Sequence, residues 1–103
     1  MFYKPEGIAP AMLTAFNDDG TINEDVQGDI INFCINSGCK MIFAVSSVGE
    51  FVHMETKQMC ELMDIAVKAA AGRVPVLAGV TASHIEKSIE LAKYAREIGC
   101  KGL

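Results

Sequence analysis

The sequence predicts a parallel α/β fold assembled from repeating strand–helix units, and three observations carry that expectation. Short apolar runs alternate with longer segments whose apolar residues recur every three and four positions. Glycines stand just past each helical segment, at 38, 72 and 99, giving units of 34 and 27 residues. A repeat of about 30 residues is that of a barrel of eight strand–helix units in about 250 residues. The 103 residues hold three such units. Residues 1–103 are therefore expected to form the N-terminal portion of one (β/α)8 TIM barrel domain, with no internal boundary.

In chain order, residues 1–6 are a short lead-in, and Gly7 to Leu13 (GIAPAML) is the first predicted strand. Pro10 counts against that strand, because proline removes a ladder donor. Asn17-Asp18-Asp19-Gly20 has turn composition. Asn23 is a good N-cap, followed by Glu24 and Asp25 in the favourable first turn. Val26, Ile30, Phe33 and Cys34 form the expected buried stripe of this helix, and Gly38 ends it.

The second strand, Met41 to Val45, is continuously apolar, as a parallel strand covered on both faces should be. A second helix is expected over about Thr56 to Ala71, burying Met59, Leu62, Met63, Ala66 and Ala70. Glu55 stands where its cap should be, with Gln58 as a partial capping-box partner. Val74 to Val80 is the third strand. Ser83 and Glu86 have capping-box spacing, and Ile85, Ile89, Ala92 and Ile98 mark the third helix, with Leu91 and Tyr94 widening its apolar side. Lys101-Gly102-Leu103 has the character of a fourth strand's start.

Parallel strands need cover on both faces. Three units alone would leave the inner face of the sheet in water, so the chain is expected to self-associate, to wrap its helices over both faces, or to be part of a longer chain. The last is the preferred reading.

Composition excludes several classes. Half the residues are hydrophobic and 21% are charged, which is globular and not disordered. A net charge of −4 with scattered lysines and arginines disfavours nucleic acid and anionic membranes as partners. No apolar run approaches the roughly 20 residues of a membrane span, and Phe2, Tyr3 and Lys4 lead to Pro5 without the apolar core of a signal peptide. Cys34, Cys39, Cys60 and Cys100 include no C-x-x-C pair, and are expected as reduced, buried thiols in a cytoplasmic protein. His53 and His84 have no metal-ligand spacing, and no glycine-rich phosphate loop follows a strand, so neither a metal nor a nucleotide cofactor is expected.

The chemistry-bearing stretch is Ser46 to Glu50, where the second strand would end. In parallel α/β folds ligands bind outside the carboxyl ends of strands. Two hydroxyls, backbone N–H groups and a carboxylate could there hold a substrate carboxylate or pass a proton. The alternative is a tight turn whose serines satisfy backbone groups. Glu50 could be a general base, though anchoring the loop is the commoner role for a glutamate so placed. No lysine projects from the carboxyl end of a predicted strand.

Matched in order along the chain, Gly7-Ile8, Ala11, Thr14-Ala15-Phe16, Asp19-Gly20, Ser46-Ser47-Val48-Gly49-Glu50, Gly72-Arg73, Pro75-Val76 and Ala78-Gly79-Val80 resemble the N-terminal third of the dihydrodipicolinate synthase / N-acetylneuraminate lyase family. The resemblance implies a (β/α)8 barrel, usually a homo-oligomer. It also implies aldolase or lyase chemistry through a Schiff base between a lysine and a small 2-oxo acid such as pyruvate, which needs no metal or other cofactor. In the family's G-[ST]-T-G-E signature, Ser47 matches the first hydroxyl, which implies a catalytic proton-relay role and substrate binding. Val48 matches the second hydroxyl and keeps only its backbone N–H for substrate. Ser46 replaces a glycine and could tighten the turn or supply a substitute hydroxyl to substrate. Gly49 and Glu50 are retained as turn former and loop anchor. The family's Schiff-base lysine and catalytic tyrosine belong to later strands, so the chain alone is expected to be inactive.

Overall fold

The computed structural model describes residues 4–103, so Phe2 and Tyr3 of the lead-in lie outside the described residues. Three helices, α1 (Glu24–Asn36), α2 (Thr56–Ala70) and α3 (Ile85–Ile98), alternate with two short strands, β1 (Ile42–Ala44) and β2 (Val76–Ala78). The strands pair in parallel, with Ile42 opposite Val76 and Ala44 opposite Ala78. One further parallel bridge extends each side of this pair, Ala11 with Phe43 and Leu77 with Gly102. Four parallel positions therefore run across the sheet in chain order.

The first predicted strand is reduced to an extended segment. Phe43 donates its N–H to the Pro10 carbonyl at 3.2 Å and Met12 donates to the Phe43 carbonyl at 3.0 Å. Proline has no N–H to return, so the ladder there stays fragmentary. At the other edge Lys101 donates to the Val76 carbonyl and Ala78 to the Gly102 carbonyl, which is the fourth strand's beginning.

All three helices lie in one layer. The shortest dimension of the molecule is 20 Å, which fits a sheet and one helix layer at about 10 Å apiece and leaves no room for helices on both faces. Helix α2 is central, touching α1, α3 and both strands. Its inward residues Met59, Leu62, Met63, Ala66 and Ala70 are buried as expected, together with Ile65. They pack against Ile42, Ala44, Val76 and Ala78. Alternate strand residues point the other way: Phe43 and Leu77 are half-buried and lie outside this core.

The outer helices turn differently from expectation. In α1 the buried residues are Gln27 and Ile31, while Val26 is 44% and Phe33 72% exposed. Ile30 and Cys34 of the predicted stripe do pack against the core. In α3, Leu91 and Ala95 are buried, whereas Ile85 and Ile89 are exposed. Val26 and Phe33 line a groove beside residues 10–13, and Ile89 one beside residues 100–103.

Capping follows the sequence at some ends only. Asn23 caps α1, its side chain accepting from the Val26 N–H at 3.1 Å. The Ser83–Glu86 capping box does not form: α3 is capped by His84 without a side-chain bond. Gln58 makes no box with Glu55 either, and donates across the molecule to the Gly20 carbonyl at 3.0 Å. The four cysteines are free thiols and half-buried, less sequestered than expected.

Candidate functional site

At the carboxyl end of β1 the backbone turns abruptly. Val45 has φ 61°, a left-handed conformation that a β-branched residue adopts only under constraint. Gly79 supplies that constraint. Its N–H donates to the Ala44 carbonyl at 2.9 Å, and a Cβ at position 79 would lie 2.0 Å from the Val45 carbonyl oxygen. The two strand ends meet so closely that only glycine fits.

Ser46 follows, 2% exposed. Its hydroxyl donates to the Met12 carbonyl at 3.1 Å and accepts from the Gly49 N–H at 3.0 Å. The Thr14 hydroxyl donates to the Gly49 carbonyl at 2.6 Å. Gly49 is thus gripped on both its peptide groups. A Cβ there would stand 2.7 Å from the Met12 carbonyl and 2.8 Å from the Thr14 hydroxyl, which is why this position is glycine although its φ is ordinary.

Ser47 and Val48 form the exposed tip of the turn, Val48 being 54% exposed. Neither N–H has an acceptor among the described residues. The Ser47 carbonyl accepts from the Glu50 N–H at 3.0 Å. Glu50 is left-handed at φ 64° and starts a 3-10 turn over Phe51–His53. Its carbonyl accepts from the His53 N–H, while its carboxylate accepts no bond from the described residues.

Sequence reasoning picked the turn but not what holds it. In the sequence Thr14 stands out only as a letter of a motif, and Gln27 not at all. The Gln27 side chain, 1% exposed, accepts from the Ala15 N–H at 2.8 Å and donates to the Leu13 carbonyl at 3.0 Å. It brackets Thr14 on both sides. The available signal was a lone polar residue four positions before the buried Ile31, inside an otherwise apolar face.

Among the described residues no three His, Cys, Asp or Glu side chains converge as metal ligands, and no helix is long and apolar enough to cross a membrane. The lysines stay off the strand ends. Lys40 precedes β1, Lys57 and Lys68 lie in α2, Lys93 in α3, and Lys101 precedes Gly102. Lys87, in the first turn of α3, lines a 280 Å³ cleft with Phe51, Met54, Met59, Thr81 and Ser83.

The chain is 35% identical over 100 residues to the probable 2-dehydro-3-deoxy-D-pentonate aldolase YjhH of Escherichia coli (strain K12), covering 97% of this chain and 33% of that protein. It is 34% identical to the 4-hydroxy-tetrahydrodipicolinate synthase of Methanosphaera stadtmanae, covering 91% of this chain and 32% of the relative. The dihydrodipicolinate synthase of Aquifex aeolicus superposes with a TM-score of 0.89 at 28% identity, over 93% of this chain and 32% of that one. YagE of E. coli K12, crystallised in complex with pyruvate, gives 0.89 at 29% identity over 91% and 32%. The chain therefore spans about a third of the length of the relatives it matches, and its fold is the N-terminal third of their barrel. The profile of the Dihydrodipicolinate synthetase family matches residues 4–103, and the chain belongs to that family.

Proposed function

We propose that this chain is part of a single barrel domain of a pyruvate-type aldolase or lyase, and that Ser46 to Glu50 form one wall of its 2-oxo acid site. The observation that carries the reading is the pair of N–H groups of the exposed Ser47 and Val48, without a partner among the described residues, at the carboxyl end of β1. Two adjacent amides suit the two oxygens of a carboxylate, and no side chain is needed for that contact. Val48 therefore retains a binding role through its backbone although it lacks a hydroxyl. Ser47 adds a hydroxyl beside the carboxylate, placed to relay a proton to or from the carbon next to the carbonyl. The pyruvate complex of the similar YagE supports this choice of ligand.

Ser46 fits the site differently. Its hydroxyl is buried and committed to Met12 and Gly49, so in this reading it shapes the wall and the substrate meets Ser47 and Val48. The Schiff-base lysine comes from outside the 103 residues, because the described lysines sit on helices or before strands. Four free thiols suit the reducing interior of a cell.

Borohydride reduction of the 103-residue protein with pyruvate tests this. The expected result is no labelled lysine. A stable pyruvyl adduct on any lysine, Lys87 being the first to inspect, would overturn the assignment of the covalent step to another part of the barrel.

A second reading is a non-catalytic partial barrel that folds by association with further copies or with a partner chain. It is favoured by the apolar residues left open at both lateral edges, Leu13, Val26 and Phe33 on one and Ile89 and Leu103 on the other.

A further inference from the structure

We infer that Ser46, Thr14 and Gln27 act together as positioning residues that aim the Ser47 and Val48 amides at the substrate carboxylate; the inference rests on the anion-site reading above. Each makes its contact in sequence toward the tip. Gln27 fixes the Leu13 carbonyl and the Ala15 N–H, the two peptide groups flanking Thr14. Thr14 then holds the Gly49 carbonyl, and Ser46 holds the Gly49 N–H while donating to Met12. The Thr14–Gly49 and Ser46–Met12 bonds join the extended segment before α1 to the turn after β1, and Gln27 ties that segment to α1, so the two strand ends move as one piece.

The need for such a clamp follows from Val48. Without a hydroxyl at that position, the carboxylate contact depends on the direction of two backbone N–H bonds, and hydrogen bonds weaken steeply once bent below about 120°. At position 48 the tip has no side-chain donor that could compensate for a tilted peptide. Gln27 and Ser46 are buried and Thr14 half-buried, and with their partners satisfied the clamp is stiff, since no buried side-chain nitrogen or oxygen among the described residues lacks a partner. The two halves of the clamp thus meet at Gly49: one hydroxyl on each of its peptide groups, and no space for anything but hydrogen at its α-carbon.

Amide spectra of the isotopically labelled protein titrated with pyruvate test the inference. In the unaltered protein the Ser47 and Val48 amide signals shift progressively with pyruvate. Ser46→Ala, Thr14→Val and Gln27→Leu each weaken that binding by about fivefold or more, the worth of one net hydrogen bond. Thr14→Ser, which keeps the donor, restores it. Variants that keep the spectrum of the folded protein and bind pyruvate with unaltered affinity would overturn the positioning role while leaving the anion site standing. Absence of any shift at Ser47 and Val48 in the unaltered protein would instead overturn the anion site, and the clamp's purpose with it. A variant that unfolds is replaced by the milder Ser46→Gly, for which weakened pyruvate binding with an intact spectrum supports the inference and unchanged binding opposes it.

Discussion

Three glycines differ sharply in what an added methyl group would meet. At Gly28, in α1, nothing lies within 4 Å. Gly28→Ala should stabilise the fold by about 0.5–1 kcal/mol, the helix-propensity difference. At Gly49 the methyl meets the Met12 carbonyl and the Thr14 hydroxyl, and Gly49→Ala should cost about 1–3 kcal/mol as overpacking. At Gly79 it would fall 2.0 Å from a backbone oxygen, and Gly79→Ala should cost more than Gly49→Ala. Denaturant midpoints of the three variants check the order, and a Gly49→Ala protein as stable as Gly28→Ala would refute the clamped geometry. Gly49 and Gly79 were legible as motif letters, yet their reason was not, because it lies in residues 35 and 34 positions away, Thr14 and Val45. Ser46 shows the same limit. Its spacing announced a polar turn but could not distinguish a hydroxyl facing substrate from one buried against Met12.

At the scale of elements, helices were legible because their signals are local. Periodicity found all three, and glycines 38, 72 and 99 stand at or just past their ends with φ of 98°, 75° and 99°. Which face each helix buries was less so. An apolar stripe records every neighbour a helix can have, and only part of that stripe meets α2 and the sheet here; Phe33 and Ile85 belong to the remainder. One tie between helices is pH-sensitive. The Tyr94 hydroxyl of α3 donates to Asp64 of α2, and this bond, with a smaller contribution from desolvation, pushes the phenol from 10.0 up to about 12. A pKa raised on folding means stability that is complete below the unfolded value, near pH 10, and is lost as pH rises through about 12. Ultraviolet titration should show a late tyrosinate step that Tyr94→Phe removes and Asp64→Asn moves down toward 10; a Tyr94 step at the ordinary pH would contradict the bond.

For the molecule as a whole, the repeat length was the informative quantity, since units of 34 and 27 residues leave room for one strand, one helix and two short loops. The two-layer thickness of 20 Å agrees with it. The uncovered inner side of the sheet was also legible, from the rule that parallel strands are buried on both faces, and Phe43 and Leu77 are the residues that carry it. What the sequence did not show is the character of the two lateral edges. One is a 470 Å³ apolar groove between Pro10–Leu13 and α1, with Asp29 on its lining. The other is a 380 Å³ groove between α3 and residues 100–103, with Lys93, Arg96 and Lys101 among its lining residues.

Those edges have direction. All four strand positions run parallel, so the segment at Ala11 and the segment at Gly102 present the same polarity on opposite sides, and their groove charges are opposite in sign. In a protein of these 103 residues alone, a copy docking by one edge would leave its other edge free for the next, a head-to-tail contact that grows into a linear polymer unless its rotation brings the ends together. Light scattering should therefore rise with protein concentration and fall with added salt, and Phe33→Lys or Leu103→Lys should each cap growth from one side. A scattering mass that stays that of a single chain across the concentration range would show that these edges do not add to one another. Where the expectation holds, mixing the two capped variants gives dimers and nothing longer, because each retains one competent end: the open sheet behaves as a monomer in the polymer chemist's sense, with two unlike functional groups.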